Sequence, residues 1–259
     1  MSLLNGKKGK DLSFSDFVSS AVRGLFMPYF SLPIIVLGVA VGYATDLVLK
    51  PILVDGFENA GELGAMAGPI ATASGISIIT GIFIAVYGQI YGTLATNAKA
   101  GTPTIGEAFA VIGQRGLSVF AAGLLVTLAT VGIFIVGLIV VIGGAIAANA
   151  GGVTTGLFVL FLVVFIYLSM RLGQAGWFAA DGMGAIDAIK ASWSRTQGHL
   201  LKILLWGIGG AIVFAAIGWL ISQLTSTLPP AIGSSIGTGV GLVFTYASGS
   251  VLYRRITAK

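Results

Sequence analysis

No cysteine occurs among the 259 residues, which excludes disulfides and thiolate metal sites. There is one histidine, His199. A zinc site or hydrolase dyad built on it would need partners that a lone histidine does not supply. Neither H-E-x-x-H nor C-x-x-C occurs. Charge is the scarcest property. Only 9% of residues are Asp, Glu, Lys or Arg, against about 25% in a soluble domain. So few charges cannot cover a water-facing surface. No cofactor-binding or nucleic-acid-binding pattern is present either. The net charge of +5 comes from basic residues spaced along the chain at the ends of apolar runs, not from a basic patch.

What is abundant points one way. Hydrophobic residues make up 56% of the chain, and several runs exceed the roughly 20 residues that cross a hydrocarbon core. Glycine, at 39 residues, would weaken helices in water but lets helices approach closely in lipid. These features predict an all-α, polytopic helical membrane bundle. Spans are expected at 27–49, 69–96, 117–142, 153–180, 200–220 and 231–252, in one membrane domain (13–255) behind a polar, basic tail (1–12).

Three short amphipathic stretches precede spans. In 185–202, Ile186, Ile189 and Trp193 share one helical face, the pattern of a helix lying on a membrane surface. Ser13–Leu25 and the run from Thr104 repeat it. Ser13/Asp16 and Thr104/Glu107 have the spacing of a capping box, and Gly184/Asp187 hold the equivalent positions. Each unit carries an acid (Asp16, Glu107, Asp187), then a base (Arg23, Arg115, Arg195), then a glycine (Gly24, Gly116, Gly198). The plan reads either as a threefold repeat or as what any surface helix entering a membrane requires. Phe17, Phe109 and Trp193 are expected against lipid or the ends of spans.

Charge counting sets the orientation. Of 14 Lys and Arg, removing Arg171 and Lys50 leaves 12. All 12 fall in the N-terminus, the second and fourth connections and the C-terminus. The positive-inside rule places these segments, and both termini, on the cytoplasmic side of the inner membrane. The basic helices would meet anionic headgroups there.

Two features stand out within the spans. Gly233, Gly237, Gly241, Thr245 and Gly249 recur every four residues, leaving one helical face nearly bare for packing, either within the chain or against a second copy. Tyr167, Arg171 and Gln174 share another face. If the fourth span runs unbroken to Asp181, Arg171 lies about 15 Å inside it. An intramembrane arginine of that kind needs a polar or anionic partner. The sequence offers Gln89, Tyr87, Tyr91, Thr245, Ser248, Glu107 and Asp187. Asp181 and Asp187 have ordinary explanations as a span end and a helix N-terminal charge. No catalytic set and no metal-ligand set emerges.

The stretch from Arg171 to Leu204 resembles a family of six-helix prokaryotic membrane proteins similar to the membrane domain of some glycerophosphoryl diester phosphodiesterases. Arg171, Asp181, Ala188–Ser192–Trp193, Arg195 and Gly198 carry the likeness. It implies a fold and a membrane location but no activity, because the phosphodiesterase barrel is absent. The functional expectation is a non-enzymatic scaffold or accessory protein that engages lipids or membrane proteins. The alternative is a transporter or channel for a small or lipid-like anion at Arg171.

Overall fold

The computed structural model describes the backbone of residues 3, 11–54, 60–98, 101–148, 151–228 and 230–258. Within the helices, side chains are described outside 44–71, 73, 145–153, 222, 230–231 and 234. Nine α-helices and no strand occur among these residues: α1 (Phe14–Leu25), α2 (Pro28–Val54), α3 (Ala60–Asn97), α4 (Ile105–Ala148), α5 (Gly151–Leu172), α6 (Ala175–Ala180), α7 (Ala185–Arg195), α8 (Leu200–Leu224) and α9 (Pro230–Thr257). The chain is a helical membrane protein. Among the described residues, five helical segments are long and apolar enough to cross a bilayer: Ser74–Asn97, Ile105–Gly144, Thr154–Ala180, Leu200–Ile221 and Ser235–Thr257. A sixth is reached when α1 and the Pro28–Tyr43 part of α2, bent by 78° from each other, are taken as one.

α1 forms as expected. Ser13 Oγ accepts from the Asp16 N–H, and the Asp16 carboxylate accepts from the Ser13 N–H at 2.9 Å, closing the capping box. Its end is set by Pro28, which cannot continue a helix but suits the first position of the next. The Phe26 and Met27 amides turn back to the carbonyls of Arg23 and Gly24.

The second expected surface helix is not a separate element. The capping box at Thr104/Glu107 is made, with the Thr104 N–H donating to the Glu107 carboxylate at 2.6 Å. From there, however, α4 runs without a break for 44 residues, about 66 Å. The physical reason is the lack of a stop signal: no proline lies between Gly116 and Ala148, and each glycine costs a helix only about 1 kcal/mol. The expected threefold plan therefore survives as two free-standing helices, α1 and α7, and one helix fused to its span. The connection expected over Asp46–Gly68 is also largely helical, since α2 reaches Val54 and α3 begins at Ala60.

The chain divides into two compact units, Met1–Ile112 with Trp206–Lys259, and Gly113–Leu205. In the first, α2, α3 and α9 surround a core that includes Phe30, Ile34, Tyr87, Tyr91, Val243 and Ala247. Phe30 stacks on Tyr91 at 5.2 Å between ring centroids. α1 lies on α9, so close that a Cβ at Gly24 would stand 2.9 Å from that of Ala247. Phe17 of α1 is buried against Trp206 and Phe214 of α8.

Close helix approach in this unit occurs one face round from the glycine stripe. A Cβ at Gly38 would lie 2.8 Å from the Gly239 Cα, and one at Gly239 would lie 2.9 Å from the Ile35 carbonyl oxygen. Gly42 meets Ser235 in the same way. By contrast, a Cβ at Gly237 or Gly241 meets nothing within 4 Å, and Thr245 is exposed. Gly233 is buried beside Thr225, and Gly249 is half-buried. Within the chain, α9 packs through Ser235 and Gly239, while the middle of the stripe stays open.

Candidate functional site

The second unit brings the ends of α5, α6 and α7 together around arginine side chains. α5 stops at Leu172, so Arg171 lies in its last turn and not ten residues inside an unbroken helix. The chain then turns at Gly173–Gln174 into α6. Both Arg171 and Gln174 are buried.

Arg171 is held on every side by α5 and α7. Its Nε and Nη2 donate to the Tyr167 hydroxyl at 3.1 and 3.0 Å, one turn earlier on α5. Its Nη1 donates to the main-chain carbonyl of Trp193 at 2.5 Å. The guanidinium carbon lies 4.7 Å from the centre of the Trp193 ring and 5.3 Å from that of Tyr167, and the two rings meet edge to face at 89°. Cation–π contact of this kind adds about 0.5–2 kcal/mol per ring, more when water is excluded.

The exchange is reciprocal. The last carbonyls of a helix have no partner within it. Arg171 serves the carbonyl of Trp193 in the last turn of α7, while the Ser192 hydroxyl of α7 donates to the Arg171 carbonyl in the last turn of α5 at 2.6 Å. Each helix thus caps the C-terminus of the other. Positive charge at a helix C-terminus is favoured by the helix dipole as well.

The partner is therefore a hydroxyl and a carbonyl, not a carboxylate such as Asp187. Most of the other groups expected to serve Arg171 bond partners of their own. Tyr87 donates to the Tyr29 carbonyl, and Tyr91 to that of Pro103 at 2.5 Å. Thr245 and Ser248 donate to carbonyls one turn back, and the Glu107 carboxylate closes its capping box.

A second arginine caps α6. Arg115 Nη1 donates to the Ala180 carbonyl at 2.9 Å, at the helix C-terminus. The chain leaves α6 through a Schellman turn, with the Gly182 N–H bonded to Ala179 and the Met183 N–H to Phe178. Gly182 takes φ +109°, a left-handed conformation that favours glycine, and the Arg115 guanidinium lies against it. Arg195 lies over the Phe178 ring at 5.7 Å. Arg115 and Arg171 thus bond main-chain carbonyls and a tyrosine hydroxyl, and Arg195 lies on an aromatic ring.

α7 docks through a face the apolar periodicity did not mark. Ala188, Ser192 and Thr196 are fully buried, whereas Ile186 and Trp193 are exposed and Ile189 is half-buried. Small side chains let α7 approach α6 closely, which leaves the larger apolar ones outward. Phe109 is likewise half-exposed, against Phe83 and Tyr87. Arg23 in α1 donates to the Leu3 carbonyl at 2.9 Å.

The remaining polar groups do not assemble into a reactive set. Among the described residues, no three His, Asp or Glu side chains are placed to hold a metal ion. The His199 Nδ1 and Gln174 Oε1 are buried without a hydrogen-bond partner. One G-x-S-x-G run exists, Gly233–Gly237, but its Ser235 is fully buried in the interior of α9. A nucleophile needs an exposed strand-to-helix turn and a base within reach. No family model, curated protein or solved structure matches the chain.

Proposed function

We propose that this is a non-enzymatic accessory or scaffold protein of the cytoplasmic membrane that engages lipids or other membrane proteins. In this reading both termini and α7 lie on the cytoplasmic side. The observation that carries it is the surface of α4 and α5. In their most apolar stretches only 6% and 11% of residues are buried by the protein, at mean hydropathies of 2.9 and 2.2. Val136, Ile139, Leu160 and Val163 are among the exposed side chains. A surface of this size needs acyl chains or another apolar helix against it. The outward Ile186 and Trp193 of α7 fit a helix at the headgroup level. The likeness of 171–204 to the membrane domain of glycerophosphoryl diester phosphodiesterases agrees with the same reading.

The transporter alternative finds less support. It needs Arg171 open to a polar path, and that guanidinium is buried with its bonds made to Tyr167 and Trp193. Two experiments test the reading. Reconstituted in sealed vesicles, the protein should pass no phosphate or chloride; sustained flux abolished by Arg171→Gln would establish the transporter instead. Single cysteines at Glu58, outside the described residues, and at Ser194 should label from opposite sides of the membrane. Labelling of both from outside would overturn the orientation.

A further inference from the structure

Between α4 and α5 runs an apolar groove of about 670 Å³, lined among others by Leu128, Gly132, Val136 and Val141 of α4 and by Leu157 and Leu168 of α5. Phe134 of α4 meets Phe161 and Phe165 of α5 at 5.8 Å each, bridging the two helices. The helices run antiparallel, so Leu128 and Leu168 mark one end of the groove and Val141 and Leu157 the other.

The two ends differ in charge. Unit Gly113–Leu205 carries five basic residues (Arg115, Arg171, Lys190, Arg195, Lys202) and two acids (Asp181, Asp187), a net of +3. All seven belong to the Leu128/Leu168 end. Residues 143–152, which join the helices at the other end, carry none. Leu168 lies beside Tyr167 and one turn from Arg171. Tyr167 meets the exposed Trp193, and Lys190 stands one turn before Trp193 on α7, also exposed. One end therefore offers cations beside Tyr and Trp, the side chains that favour the membrane–water interface. The rest of the groove is lined by apolar side chains and glycines.

Resting on the lipid-engaging reading above, we infer that this groove holds an acyl chain of an anionic phospholipid, with the lipid phosphate at Lys190 and Trp193. The polarity of the groove matches that of the lipid end for end. The positive-inside bias accounts for charge at this end in general; the exposed Lys190 beside Trp193 adds a cationic rim that a lipid headgroup would use and an apolar helix would leave unpaired. Arg171 is a positioning residue here: by bonding both Tyr167 and the Trp193 carbonyl it fixes the rim.

The full chain, purified from vesicles of phosphatidylglycerol and phosphatidylcholine in equal amounts, tests this by native mass spectrometry. The wild type should retain phosphatidylglycerol over phosphatidylcholine by about fivefold, the ratio expected from one basic residue at a headgroup. Gly132→Phe fills the groove from a position where a Cβ meets nothing within 4 Å, so it should fold normally and lose both lipids. Val159→Phe, on the exposed face of α5 outside the groove, should retain them. Lys190→Glu should keep the lipid but lose the headgroup preference. Lipid retention by Gly132→Phe, equal retention of the two lipids by the wild type, or a dimer of the chain that Gly132→Phe dissociates would each overturn the proposal. Vesicle flux is independent of all these outcomes, so failure of the groove and failure of the accessory reading can be told apart.

Discussion

The most apolar helices of this protein are the least buried. α4, α5 and α8 have stretches of mean hydropathy 2.9, 2.2 and 2.2, of which only 6%, 11% and 17% is buried within the protein. α3 and α9, at 1.6 and 1.3, are half buried. In a soluble domain the order would be reversed. In lipid, burying a leucine against protein gains little over burying it against acyl chains, so packing selects small side chains and polar groups with partners. The core around α2, α3 and α9 combines close approaches at Gly38, Gly42 and Gly239 with large side chains such as Phe30, Tyr87 and Tyr91. The Gly113–Leu205 unit joins its helix ends by hydrogen bonds from Arg115, Arg171 and Ser192, and packs α4 on α5 through Phe134, Phe161 and Phe165.

The contrast breaks most visibly at the glycines. Gly239→Leu forces a side chain into the Ile35 backbone and should cost about 3 kcal/mol or more, the upper range for overpacking. Gly241→Leu, in open space on the same helix, should leave the melting temperature in detergent unchanged. Equal losses from the two would mean that the stripe, not Gly239, is the packing face.

Next come the reciprocal caps. Ser192→Ala leaves a buried Arg171 carbonyl without its partner, a penalty of about 1–3 kcal/mol. Arg171→Gln removes the bond to Trp193 and both ring contacts. Both changes should speed hydrogen exchange across α7 and leave α2, α3 and α9 protected. Uniform loss of protection would show that the caps hold more than their own unit.

Tyr91→Phe should be smaller, near 1 kcal/mol, because it removes one hydrogen bond, to Pro103, and leaves the stack on Phe30 intact. The smallest effect is expected on the lipid face. Val159→Ala should change thermal stability by less than about 0.5 kcal/mol, as surface substitutions do.

Much of this was legible in the sequence. Run length and charge scarcity predicted the helical membrane fold, and Ser13/Asp16 and Thr104/Glu107 marked two helix starts to the residue. Gly38 and Gly42 are spaced four apart in the sequence and lie at a close approach to α9. What the pattern missed has a common cause. Four-residue spacing shows that a face is bare, but not whether a helix of the same chain lies against it: Gly38 and Gly42 meet α9, whereas Gly237 and Gly241 are open within the chain. A charge-poor run likewise hides a break: only the turn at Gly173–Gln174 decides that Arg171 sits at a helix end. The docking face of α7, Ala188–Ser192–Thr196, was written at i, i+4, i+8, but in small residues that an apolar count passes over.

In a bilayer the exposed surface of α4 and α5 should face acyl chains. Nitroxide labels at Ile139→Cys and Val163→Cys, one per helix, measure it directly in a chain with no other cysteine. In reconstituted bilayers both labels should collide freely with oxygen and hardly at all with a water-soluble nickel chelate. Strong collision with the chelate at both positions would place this surface in water and contradict the account.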